Sequence, residues 1–136
     1  MLIILYHIIL FATLGSTSSV DPLQEEKIYT VSEVSVKPEP VMGLKAFREK
    51  WSKMVKYPED AIKKQVQGIV FIEFVVRSDS SVVDAAVKQG IGFGCDEAAL
   101  KGFEELSKEG WKPGVKLGQP VKVKMVLPFY FRIIQQ

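Results

Sequence analysis

Residues 121–134 read VKVKMVLPFYFRII, a long strand pattern interrupted by a proline. This combination constrains the fold more than any other feature of the chain. A proline has no N–H to give to a ladder, so Pro128 belongs on a sheet edge, at a strand start or in a bulge. Residues 68–77, GIVFIEFVVR, are apolar on both sides of a strand, the pattern of a strand with neighbours on each side. One strand is therefore central and the other lies at an edge, and an open edge is a template for another chain. Pro128 also sets the parity of the edge. Backbone groups of successive residues point to alternate neighbours, so with Pro128 facing outward, Lys122, Lys124, Val126, Tyr130 and Arg132 share the open side. Val123, Met125 and Leu127 then pair with the central strand.

The remaining pattern fills in an α+β domain. Leu44, Phe47, Trp51, Met54 and Val55 recur at three- and four-residue spacing and predict an amphipathic helix over 41–55. Pro58, Glu59 and Asp60 open a short helix that runs to about Gln65, with proline at its first position and acids at the positive end of its dipole. After the central strand, Ser78 to Ser81 form a polar turn into a second strand over 82–88, an antiparallel hairpin. Asp96 is placed to cap a helix whose inner side carries Ala99, Leu100, Phe103 and Leu106, and Gly110 closes it. Trp111, just after that helix, reads as a core plug rather than a ligand platform.

Most routes to chemistry are closed by composition. The one histidine, His7, lies in an apolar leader, and the one cysteine is Cys95. Catalysis by a serine or cysteine with a histidine base, and a four-ligand zinc site, both lack the necessary parts, so the chain is read as non-catalytic, with neither metal nor cofactor. Cys95 at a helix start is where a thiol pKa can be lowered, although a small apolar residue at a helix entry is the plainer reading. Glu73 has no evident partner for acid–base work. The loop Ile91 to Gly94 has glycines but no phosphate-binding signature. A net charge of +2, with lysines spread along the chain, does not argue for nucleic acid.

Three segments follow. Residues 1–19 hold the apolar run MLIILYHIILFATL, shorter than the roughly 20 residues of a membrane span and within the length of a signal-peptide core. A cleaved export signal is the first reading and a short membrane anchor the second. Residues 20–40 are polar and proline-bearing, an extended tether. Residues 41–136 form the domain.

Tyr57-Pro58-Glu59-Asp60-Ala61, Gly68 with its strand, Cys95-Asp96-Glu97-Ala98-Ala99, Gly110-Trp111-Lys112-Pro113-Gly114, Gly118-Gln119-Pro120-Val121 and Pro128-Phe129-Tyr130-Phe131-Arg132 together resemble the TonB C-terminal domain family, in its Bacteroidetes form. No single motif is specific; their order and spacing are. The resemblance implies a periplasmic domain with a three-stranded antiparallel sheet against two helices, here with an additional N-terminal amphipathic helix. It further implies strand addition of the TonB box of an outer-membrane transporter along the last strand. Lys122, Lys124, Val126, Tyr130 and Arg132 are the expected partner-binding residues. The alternatives are a membrane-anchored energy transducer, which would also meet a proton-driven motor complex, and an envelope protein that pairs the same edge with its own copy as a homodimer.

Overall fold

The computed structural model describes residues 26–134. Its centre is β3 (Gly68–Val76), paired antiparallel on one side with β4 (Val82–Gln89) and on the other with β7 (Gln119–Phe131). The β3–β7 register runs without a break from Gly68 opposite Phe131 to Val76 opposite Val123. Alternation places Val70, Ile72, Phe74 and Val76 on one face, with Val123, Met125, Leu127, Phe129 and Phe131 beside them, all buried. The β3–β4 ladder is less regular. Between the pairs Glu73–Ala86 and Val75–Val83, β4 spends one residue more than β3, and Asp84 there takes a φ of 56°. This is a bulge, with an Asp tolerating the left-handed region. The turn before β4 has no glycine. Ser80 takes the positive φ instead, and the Asp79 carboxylate accepts from the Ser81 N–H and hydroxyl.

Three helices cover the buried face. In α1 (Leu44–Met54) only Phe47 and Trp51 are buried, while Leu44 and Met54 at the ends of the expected stripe are exposed. α2 (Glu59–Lys63) is shorter than expected and has Pro58 as its extended N-cap residue rather than its first helical one. It ends with Gln65 at φ 55°, the Val66 N–H on the Ala61 carbonyl and the Gln65 N–H on that of Ile62. That bonding is a Schellman motif with glutamine in the position that favours glycine. α3 (Cys95–Ser107) starts from Gly94, in the left-handed region at φ 81°. Asp96 is not its N-cap. The Asp96 carboxylate reaches back to accept from the Ile91 N–H at 2.8 Å and from that of Gly92, pinning the preceding loop.

The core is aromatic. Trp51 lies 4.8 Å from Phe129, Phe74 lies 4.5 Å from Phe103, and Trp111 packs against Phe47 and Phe74 at 5.4 and 5.1 Å between ring centroids. These tilted and edge-on contacts suit the ring quadrupoles. The Trp51 indole N–H donates to the Ala99 carbonyl at 3.0 Å, tying α1 to α3. Gly102 allows that approach, since a Cβ there would come within 2.7 Å of Val55 Cγ2 and 3.3 Å of Trp51 Cδ1.

The segment read as a tether is in part folded against the domain. β1 (Ile28–Tyr29) runs parallel to β7, with Ile28 opposite Lys122 and Tyr29 opposite Val123. Val36 bridges Val115, and β2 (Glu39–Pro40) pairs with β5 (Trp111–Lys112). Beyond the end of β3, β7 takes up β6 (Gly114–Lys116) through a two-residue turn, Leu117-Gly118, with both φ angles positive. The leader, residues 1–19, lies outside the described residues.

Candidate partner-binding edge

Phe71 stands opposite Pro128 in the β3–β7 ladder. Antiparallel pairs alternate between those that exchange two hydrogen bonds and those that exchange none. Pro128 cannot donate, so its pair is of the second kind, and so are Val75–Lys124, Glu73–Val126 and Ile69–Tyr130. The N–H and C=O groups of Lys124, Val126 and Tyr130 therefore point away from β3, as does the Pro128 carbonyl.

The structure places the five expected residues in three different situations. Lys122 is on the outward side but is already paired with Ile28 of β1. After Tyr29 the chain turns off the edge at Thr30–Glu33, where the Thr30 N–H donates to the Glu33 carboxylate at 2.7 Å. From Lys124 to Tyr130 no strand lies beside β7 on the side away from β3 among the described residues. Lys124, Val126 and Tyr130 thus sit together on an open stretch. Arg132 lies just past the strand end, with its guanidinium 5.2 Å from the Tyr130 ring.

The side chains of these residues project onto the face of the sheet opposite the core. Val126 and Tyr130 are 36% and 49% exposed there. Lys124 is 3.6 Å and Lys88 3.8 Å from the Glu73 carboxylate. The carboxylate left without a partner by the sequence reading thus joins the three long strands in a cross-strand charge row. Such exposed pairs contribute at most about 1 kcal/mol each, and they occupy Glu73.

Cys95 is buried, and its thiol is pushed above the ordinary range by that burial first and by Asp96 and Glu97 second. The helix start does not activate it, contrary to what its position allows. A concavity of about 510 Å³ lies between β4 and the C-terminal half of α3, away from the open edge of β7. Among the described residues no three His, Cys, Asp or Glu side chains cluster to hold a metal ion, and no helix is long and apolar enough to cross a membrane.

A helix-backed sheet whose long last strand is half covered and half open defines a small α+β domain. The chain belongs to the TonB C-terminal family: residues 53–133, more than half of its length, match the family model of the Gram-negative bacterial TonB protein C-terminal. No curated protein matches the chain. Among solved structures, it is similar to the TonB C-terminal domain of Helicobacter pylori, with 21% identity over 67% of this chain and 82% of that one and a TM-score of 0.47. It is also similar to that of Pseudomonas aeruginosa, with 19% identity over 80% and 97% and a TM-score of 0.43.

Proposed function

We propose that this chain is a periplasmic binding module of the TonB type that takes the TonB box of an outer-membrane transporter as an added strand along Lys124–Tyr130. The observation that carries this reading is the open stretch of β7, where three backbone donors and four acceptors face outward in a row. Strand addition needs such a row, because main-chain hydrogen bonds supply the affinity and side-chain pockets the selectivity. The basic residues Lys124 and Arg132 at its two ends keep the edge soluble while leaving its backbone free.

Amide hydrogen exchange tests the reading residue by residue. In the free protein the amides of Lys124, Val126 and Tyr130 should exchange fast and those of Val123, Met125 and Leu127 slowly. A TonB-box peptide should slow the first set by at least tenfold. Protection that appears elsewhere, or binding without protection at these three amides, would remove the edge from recognition.

Export completes the reading. Residues 1–19 act as a signal that is removed near Ser16 to Val20. The N-terminal mass of the protein recovered from envelope fractions decides this: an intact leader resisting carbonate extraction would establish the anchored form and, with it, a transducer role. Self-pairing of the edge would instead show as a mass that doubles with concentration.

A further inference from the structure

Where α1 meets the open edge of β7, Arg48, Trp51 and Ser52 face Pro128, Phe129 and Tyr130 across a groove of about 180 Å³. Small-molecule pockets begin at roughly 300 Å³; this groove is of side-chain size. Its floor is fixed. Trp51 is buried against Phe129, and its indole N–H is committed to the Ala99 carbonyl, so neither ring is free to swing away. Its outer wall, residues 48 to 52 of α1, precedes the segment 53–133 that matches the family model.

A strand added along β7 must use this groove. Residues directly opposite one another on neighbouring strands put their side chains on the same face. The partner residue opposite Phe129 therefore points to the helix side of the sheet, between β7 and α1. Arg48 stands there exposed and makes no ion pair among the described residues. Ser52 lies one turn further along α1, on the same side of the helix. No carboxylate lines the groove.

The geometry points to a selectivity site: the groove reads one acidic side chain, Asp or Glu, on the added strand, with the Arg48 guanidinium pairing the carboxylate and the Ser52 hydroxyl donating to it. The inference rests on the strand-addition reading. It names what that reading leaves open, the chemistry by which this edge tells one extended segment from another. A guanidinium suits the task because its fork of N–H donors matches a carboxylate in a fixed plane.

The test is a displayed library of random nonapeptides selected separately on the full chain and on its Arg48→Glu variant, with Arg48→Gln as a second variant and melting curves to show that all three are folded. Wild-type protein should enrich peptides with Asp or Glu at one position of an otherwise strand-forming sequence. Replacing that acid by Gln in an enriched peptide should weaken binding about threefold to fivefold, the range of an exposed ion pair. Arg48→Glu should turn the preference at that position to Lys or Arg, and Arg48→Gln should abolish it. If all three proteins enrich the same peptides and these depend on the β7 edge, the acidic reading is overturned while strand addition stands. If nothing is enriched, or enriched peptides bind a Val126→Pro variant undiminished, strand addition itself falls, and this inference with it.

Discussion

Phe71 and Pro128 face each other across the β3–β7 ladder at a pair that exchanges no hydrogen bond. One proline thereby declares the orientation of a whole strand, and the consequence can be tested by adding others. Val126→Pro removes an outward donor and should leave the fold intact, lowering the melting temperature by only a few degrees, while weakening the binding of an extended peptide. Met125→Pro removes a bond to Phe74 and should cost about 3 kcal/mol or more, enough to unfold much of a small domain. Circular dichroism melts and peptide titrations of both variants check this; greater damage from Val126→Pro than from Met125→Pro would mean that the strand faces the other way.

Gln65 closes α2 in the left-handed region, at φ 55°. That conformation costs an ordinary residue roughly 1–2 kcal/mol, and glycine escapes it at the expense of about 0.5–1 kcal/mol of unfolded-state entropy. Gln65→Gly should therefore stabilise the domain by about 0.5–1 kcal/mol, read as a higher urea midpoint with unchanged slope. A lower midpoint would show that the glutamine side chain contributes something the backbone bonding does not reveal.

Gly102 is a helix residue by position and a spacer by function. Helix propensity alone favours replacing it, yet any side chain must enter the space held by Val55 and Trp51. Gly102→Val should destabilise by about 1–3 kcal/mol through forced separation of α1 and α3. Phe103→Ala, one residue along and fully buried, should cost about 3–5 kcal/mol by leaving a cavity among the aromatic rings. Urea unfolding of both gives the comparison, and a neutral Gly102→Val would mean that α1 yields easily.

Burial raises the pKa of the Cys95 thiol, and it raises that of Tyr57, whose hydroxyl donates to the Val66 carbonyl, with Cys95 adding to the second shift. Both groups lose their protons more readily in the unfolded chain. Their contribution is complete below the unfolded-chain values and is lost as pH rises through the higher folded ones, a window that opens at about pH 8.5 for the thiol and 10 for the phenol. Stability should hold between pH 7 and 8 and fall from pH 9 upward. Cys95→Ala should flatten the first part of that fall, and the wild-type thiol should resist alkylation at pH 8 until urea unfolds the chain.

Much of this architecture was legible because long elements repeat their signal. The apolar alternation of β7, the continuous run of β3 and the inner stripe of α3 each extend over many residues, and tertiary packing reinforced what the periodicity implied. The elements that escaped are two or three residues long. Ile28–Tyr29 and Glu39–Pro40 form strands only because β7 and β5 offer them partners, and nothing local marks them. Lys122 shows the effect: its backbone faces outward as the parity implies, but β1 takes the place beside it. The groove at Arg48 was invisible for a different reason, since helix periodicity names the buried side of α1 and is silent about which exposed residue overhangs a strand seventy to eighty positions away.

The two residues of β1 have a further consequence for whatever lies along β7. A bare edge allows a flat strand to slip by two residues with little penalty, because the same faces meet again. Here the edge has a stop. An incoming segment that slides toward Lys122 runs into Ile28 and Tyr29, and at the other end the ladder gives out at Phe131. What remains is a slot of fixed length with one closed end, so that in the proposed strand addition register would be measured from β1, and a segment that fits would be positioned as well as held.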